Sequence, residues 1–385
     1  MPDDGSFSDP YDTLYDLPSL TEESRIGVER SSTLRSFLDQ RVPRVTLAAY
    51  GHGEPPVFNL RDRLTTTAWT PTSGFSNVYQ QVQEAPNTMS GAYTPRLWED
   101  GEELPKQPSL ADVASTPGSF SVATSSDSWT LYYRPSAGLP SNHQVYWAAR
   151  PTAYVGSVGN VEGGTCEGLH IRHPLANAGC IQMGPGGIVR RCLLVDGSKH
   201  NLVHAGGRAE DVVCIGSAPN TVRSPLDQSA IAWFQDSNVT ERQAIVERNV
   251  ITVRTNGLAV LGHSDGVGFN QADIKGRVII DTSFGGYWPN GAVIEGLYTR
   301  RSGTIPRADV IRYAQLDGKP GQTNGGANSE LVIEDSVVFH QALTRSLEPG
   351  SSVTLRHCTL FSSERPIVSN VGASSYDLTL DHCVI

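Results

Sequence analysis

Short apolar–polar alternations recur through the second half of the chain. VTLRHCTLF, from Val353 to Phe361, and LTLDHCVI, from Leu378 to Ile385, have the two-residue period of a β-strand with one buried face. Each carries a His-Cys pair at the same point of the run. Further copies align on Cys358: IVRRCLLV at Cys192, AIVERNVITV at Asn249 and LVIEDSVVF at Ser336. Weaker members are TCEGLHI at Gly168, EDVVCIG at Cys214, DIKGRVII at Gly276 and VIEGLYT at Gly296. Successive members lie 20 to 40 residues apart, mostly in the twenties, a period that marks a solenoid with loops inserted on some turns.

A second column alternates with the first from Gly168 to Ile385. It reads GCIQMG at Ile181, HNLVHAGG at Leu202, SAIAWFQDS at Ile231 and NGLAVLGHSDG at Leu258, then ADVIRYAQLDG at Val310, QALTRSLEPG at Leu343 and RPIVSNVG at Ile367. The pattern predicts a parallel β-helix. Each turn carries two or three short strands, and each strand pairs with its equivalent one turn on, about 4.8 Å away. Equivalent side chains then stack in columns. The first column takes Cys, Asn, Ser or Gly, which predicts a file of small, weakly polar groups with the cysteines unbonded. A two-sheet sandwich would alternate too, but without one register held at a steady period.

The first third is less regular. DPYDTLYDLPSL predicts a short capping helix, RVTLAAYG a strand, and PSLADVASTPG a helix begun by Ser109 and stopped by Pro117 and Gly118. TLYYRPS and VYWAARP predict strands leading into the regular turns. The expected organisation is a strand/helix cap over 1–30, irregular first turns with insertions over 31–163, and regular turns over 164–385. Ile385 closes a strand, so a cap over the last turn is expected to be missing or supplied elsewhere.

VTLAAYGHGEPPVF, RLWEDGEELP with SLADVASTPGSF, and LYYRPSAG, in that order ahead of the repeats, resemble the entry region of right-handed β-helix proteins. These form the pectate-lyase-like superfamily, which includes bacteriophage tailspikes and bacterial polysaccharide-degrading enzymes. The resemblance extends over nearly the whole chain. It implies an all-β, right-handed single-stranded parallel β-helix with a short N-terminal helical cap and an inserted short helix. It also implies a body that binds or cleaves carbohydrate, and a homotrimer on the tailspike branch. The calcium-binding Asp clusters and catalytic Arg of the pectate lyases are not evident, nor are the paired-Asp motifs of the polygalacturonases. The resemblance therefore assigns no catalytic residue.

Composition narrows the partners. The 385 residues carry a formal net charge of −10 with no block of Lys or Arg, which argues against nucleic acid. Thirty-eight glycines, 24 prolines and only 18% charged residues suit strands and turns rather than disorder. No basic residue precedes Arg25 and no apolar run there has signal-peptide length. No run approaches the roughly 18 apolar residues of a membrane span, so no membrane insertion is expected. The six cysteines form no CxxC pair and no zinc spacing; neither metal nor cofactor is expected. A virion (phage tail) or extracellular location fits a surface-glycan partner.

Candidate chemistry comes from counting along the second column. Five places on from Ile231 and Leu258 stand Asp236 and His263; seven on from Leu258 and Val310 stand Asp265 and Asp317. Trp233, Tyr287 and Trp288 fall in the same band, with Arg312 and Gln315 nearby. The expected site is a sugar groove with Asp236 and Asp265 as catalytic carboxylates beside His263. Substrate contacts are expected from Trp233, Tyr287, Trp288, Arg312, Gln315, Asp317 and His204. Inverting glycosidases place two carboxylates about 6.5–9.5 Å apart, and one or two turns span that range. A His–Asp pair could instead supply the base of a lyase or esterase. The plainer reading is that QDS, HSDG and LDG are Asx turns leaving strands. His200 and His204 would lie roughly 13 Å apart on one strand, too far to share a metal, and His204 could equally be a buried polar plug. The expected function is a tailspike-like polysaccharide depolymerase. The alternatives are a non-catalytic virion component or a secreted lyase or hydrolase.

Overall fold

The computed structural model describes residues 20–34, 38–40, 43–84, 96–125, 128–148, 154–156, 162–174, 179–197, 200–217, 229–235, 241, 243–255, 258–264, 269–282, 284–288, 292–300, 314–316, 330–339, 352–361 and 377–385. Among them three parallel sheets run the length of a β-helix. The first sheet has eleven strands, from Arg25–Glu29 to Asp377–Asp381; the second has ten, from Thr33–Leu34 to Thr359–Phe361; the third has eight, from Leu38–Gln40 to Ala314–Leu316. One complete turn is Gly187–Arg190, Leu193–Gly197 and His200–His204, after which Gly207–Glu210 returns to the first sheet. The 1–19 part of the expected helical cap lies outside the described residues.

Columns form as the pattern requires. On the inward face of the first sheet the register stacks Ile26, Leu47, Cys166, Val189, Ala209, Glu247, Ile274, Ile294, Ile333, Leu355 and Leu380. On its outer face the same strands stack Glu167, Arg190, Glu210, Arg248, Lys275, Glu295, Glu334, Arg356 and Asp381. Arg190 Nε donates to Glu167 at 2.7 Å, Lys275 pairs with Glu295 at 2.7 Å and Arg356 with Glu334 at 2.6 Å. Exposed pairs contribute little each, roughly 0–1 kcal/mol, but together they disfavour slipped registers.

The corner between the first and second sheets explains the His-Cys repeat. Gly168, Arg191, Asp211, Asn249, Gly276, Gly296, Asp335, His357 and His382 all have φ between +48° and +73°. That left-handed bend suits glycine, asparagine and aspartate. The next residue turns inward: Leu169, Cys192, Val212, Val250, Arg277, Leu297, Ser336 and Cys358 are buried. The thiols there donate to carbonyls one rung away, Cys358 to Ile333 and Cys383 to Leu355, each at 3.4 Å. Cys192, Ser336, Cys358 and Cys383 thus share one column. Gly168, Asn249, Gly276 and Gly296 belong to the bend one residue earlier, and Cys214 stands two residues later, level with Leu194. The expected single column merges three nearby positions, because a positive φ and a small buried space both select small residues. All six cysteines are free thiols.

The described residues between 61 and 148 leave the solenoid between strand Val57–Asn59 of the second sheet and Tyr154–Gly156 of the third. They build two four-stranded sheets with antiparallel pairing around their own core of Trp69, Leu97, Phe120, Leu131, Tyr133 and Trp147, among others. Helix Leu110–Ser115 is capped by Ser109, whose hydroxyl accepts from the Asp112 amide at 3.2 Å, as the sequence predicts. TLYYRPS and VYWAARP do contain strands, Ser128–Arg134 and Val145–Ala148. These pair antiparallel inside the inserted module instead of leading into solenoid rungs, because alternation alone does not specify strand direction. No described helix is long and apolar enough to cross a membrane.

Candidate functional site

The third sheet carries the residues expected to meet a glycan. Its register aligns Val155, Gln182, Val203, Ala232, Leu261, Tyr287 and Gln315 in one row across seven successive strands. Further along the strands Phe234 pairs with His263 and Gln235 with Ser264, while Trp288 pairs with Leu316. Ile231 is level with Val260, and Leu258 with Ser229. The count that set Asp236 level with His263 is therefore two residues out, since it equated Leu258 with Ile231. Alternation tolerates that slip of two without changing face. Asp236, Asp265, Arg312 and Asp317 lie outside the described residues.

Two expected contacts are not at the surface. Trp233 is fully buried, and its indole N–H donates to Glu247 Oε1 at 2.7 Å. It is a core residue and not a stacking platform. His204, one rung away, is also fully buried, with ring centroids 4.8 Å apart. Its Nε2 lies 3.1 Å from the Gly187 carbonyl, and burial pushes its pKa down to about 3. A neutral histidine sealed inside the solenoid cannot touch substrate, so this expectation is corrected too. Trp233 sits at an inward position, which a stretch as uniformly apolar as AIAWF does not distinguish from outward ones.

Glu247 and Arg277 complete this interior network. Arg277 Nη1 donates to Glu247 Oε2 at 2.7 Å, and Nη2 to Thr252 Oγ1 and the Ala259 carbonyl, each at 2.8 Å. Both side chains are essentially fully buried, at 0% and 1% exposure. Neither stands out in the sequence, because IVERNV and IKGRVI each carry a second charge, Arg248 and Lys275, and the spacing does not tell the inward charge from the outward one.

A second polar cluster lies where the inserted module meets the second sheet. Arg96 is buried and clamps Glu103 with two bonds, Nε to Oε1 at 2.8 Å and Nη2 to Oε2 at 2.7 Å. Its Nη1 donates to the carbonyls of Pro174 at 3.1 Å and Asp196 at 2.8 Å, tying module to solenoid. His173 Nδ1 is 3.2 Å from Asp196 Oδ2, and its ring lies 5.3 Å from that of Trp98. Desolvation lowers the His173 pKa. Asp196, expected as a plain turn residue, does have φ +56°. The remaining members were missed because the register joining RLWED to HIRHP crosses more than 70 residues.

Inside the module, Glu99, Asp100 and His143 offer ligand atoms within 4.8 Å of one another, but protein groups already occupy them. Glu99 accepts from the Tyr133 hydroxyl at 2.5 Å, from the Ser136 amide at 3.1 Å and from the Ser136 hydroxyl. His143 places Nδ1 2.7 Å from Asp100 Oδ2 and Nε2 2.6 Å from the Ala137 carbonyl. Both ring nitrogens face acceptors, so the imidazolium is the form that satisfies them. Desolvation opposes that charge, but the Ala137 carbonyl and then the Asp100 carboxylate outweigh it, and the His143 pKa is raised. The bond from His143, then that from the Gln144 amide, lowers the Asp100 pKa.

A raised histidine pKa stabilises fully below the unfolded value of about 6.5 and is lost as pH rises through the folded one. A lowered aspartate pKa stabilises above about 3.9 and is lost as pH falls through the folded one. The protection factor of the Gln144 amide, which is its exchange rate relative to the intrinsic rate at the same pH, should therefore fall on the alkaline side of neutrality. In a His143→Gln variant that alkaline fall in protection should disappear; an unchanged protection profile would remove His143 as its cause.

XylC, solved in complex with xylose, is similar in structure: 10% identity, TM-score 0.55, over 93% of this chain and 68% of that one. The catalytic unit of a thermostable GH87 α-1,3-glucanase from Streptomyces thermodiastaticus strain HF3-3 matches at 8% identity and TM-score 0.32, over 84% of this chain and 96% of that one. No protein-family model matches the chain, and no curated protein does. At 10% identity the XylC likeness establishes the parallel β-helix fold, and fold alone does not fix activity.

Proposed function

We propose that this chain acts on carbohydrate, as a polysaccharide depolymerase of the tailspike kind, working as a homotrimer on a surface glycan. One observation carries the reading. The third sheet aligns His263 with Phe234 and Tyr287 with Gln315 across neighbouring strands, in steps of about 4.8 Å. A polymer of pyranose units has a repeat that such a row of strands can match, and aromatic, amide and imidazole residue types suit stacking on sugar rings and bonding to their hydroxyls. The xylose complex of a protein with this fold supports a sugar as the ligand class. Asp236 directly follows Gln235 and Asp265 directly follows Ser264, a pair on neighbouring strands, which recommends these two carboxylates as acid and base.

Incubation with a panel of acidic and neutral bacterial polysaccharides tests the reading. Reducing ends without unsaturated products would indicate hydrolysis, and unsaturated uronates a lyase. Asp236→Asn and Asp265→Asn should each lower turnover by about 10²–10⁴-fold with unchanged unfolding midpoints. Glycan binding without any product would favour a receptor-binding virion component. Absence of both binding and cleavage across the panel would refute a carbohydrate function.

A further inference from the structure

Two guanidiniums at the corner between the second sheet and the inserted module, Arg61 and Arg172, form no ion pair within 4.0 Å among the described residues. Arg61 follows strand Val57–Asn59, and Arg172 ends strand His170–Arg172 one rung on. Both are partly exposed, yet the Nε of each is buried without a hydrogen-bond partner, as is the neighbouring Asn59 Oδ1. Arg61 stands over two rings, 5.1 Å from the Trp98 centroid and 5.2 Å from that of Tyr146. Desolvation and then the Arg172 charge lower the Arg61 pKa; desolvation and then Arg172 do the same to His170.

The local charges do not cancel. Arg61, Arg96 and Arg172 face Glu103 and Asp196; Glu103 is bound to Arg96 and Asp196 lies beside His173. Three cations against two carboxylates leave one positive charge, on a chain whose net charge is −10. Guanidiniums withdrawn from water without an anion are unfavourable. The planar fork of arginine matches the two oxygens of a carboxylate or a sulfate. The Trp98 and Tyr146 rings hold Arg61 in place before any ligand arrives.

We propose that Arg61 and Arg172 form an oxyanion site that takes the carboxylate of an acidic sugar, with Asn59 beside it for a neighbouring hydroxyl. The choice of a sugar as the anion's carrier rests on the glycan reading; the oxyanion site itself does not. The test is titration of the full chain, at fixed ionic strength, with sodium glucuronate, sodium sulfate and glucose. The readout is the arginine Nε–Hε NMR signals, assigned with Arg61→Lys and Arg172→Lys.

Glucuronate should shift both signals and glucose neither. Arg172→Gln should weaken glucuronate binding about 10-fold or more, while Arg172→Lys should retain part of it. A response to sulfate alone would keep the oxyanion site but overturn the carboxylate as its ligand in favour of a sulfate ester. No shift with either anion would overturn the proposal and leave the roles given to Asp236 and Asp265 untouched. Conversely, a chain that cleaves no polysaccharide can still show these shifts.

Discussion

Glu247→Ala should lower the unfolding free energy by about 3–5 kcal/mol, the range for removing one partner of a buried ion pair. Glu247 occupies the sixth place in an inward-facing column of eleven residues, from Ile26 to Leu380, whose other members are aliphatic or cysteine. Ala209, its neighbour on one side, is small enough to leave room for a carboxylate. Removing that carboxylate strips the Arg277 guanidinium of its counter-ion and the Trp233 indole of its acceptor at one stroke. The two bonds from Arg277 Nη2 to Thr252 and Ala259 remain, but they do not neutralise charge. Denaturant unfolding followed by tryptophan fluorescence measures the loss. A double variant, Glu247→Leu with Arg277→Leu, should recover most of it, since well-packed apolar groups often replace a buried pair without penalty. A single-variant loss below about 1 kcal/mol would mean that the pair is not sealed from water.

Gly164→Ala should be at least as damaging, through the backbone. A Cβ built at Gly164 would sit 1.7 Å from the Val45 carbonyl oxygen and 2.6 Å from its carbon. These are main-chain atoms, so no rotamer change relieves the overlap. The Thr165 amide donates to that same Val45 oxygen at 3.1 Å, and strand Thr165–Glu167 pairs with Thr46–Ala48 just beyond. Overpacking typically costs 1–3 kcal/mol and more where the backbone must move; about 3 kcal/mol or more is expected here. Gly51→Ala is the control. Its φ is +82° but nothing lies within 4 Å of the added carbon, so only the left-handed strain of about 1–2 kcal/mol applies. Equal effects in the two variants would show that crowding at Val45 is absent.

These residues show how far the sequence could be read. The repeat of VTLRHC and LTLDHC sufficed for a parallel solenoid, because stacking forces the same alternation on each rung. It did not separate the bend residue from the inward residue after it, since His357 with Cys358 and Asn249 with Val250 differ by one place and both favour small or polar types. In the third sheet the slip between Leu258 and Val260 preserved the face but misplaced Asp236 against His263. The interior pair did not stand out, because Glu247 stands beside Arg248 and Arg277 two places after Lys275, and nothing local marks which charge turns inward. Nor did the Arg61 and Arg172 corner, because the 61–148 module carries its chain away from the sheet and back. No local spacing encodes that return.

Stacking in register is the claim on which every site here depends, and it can be measured at Glu295 and Glu334. The first sheet pairs these outward residues directly, across the 301–329 segment. With cysteines introduced by Glu295→Cys and Glu334→Cys, a bifunctional thiol reagent spanning about 5 Å should link the two in the native chain, as strand spacing dictates. The linked peptides are identified by mass after proteolysis. Glu295→Cys with Arg356→Cys, two rungs apart, should stay unlinked by the same reagent. Linkage of the second pair, or of neither, would contradict the stacked rungs.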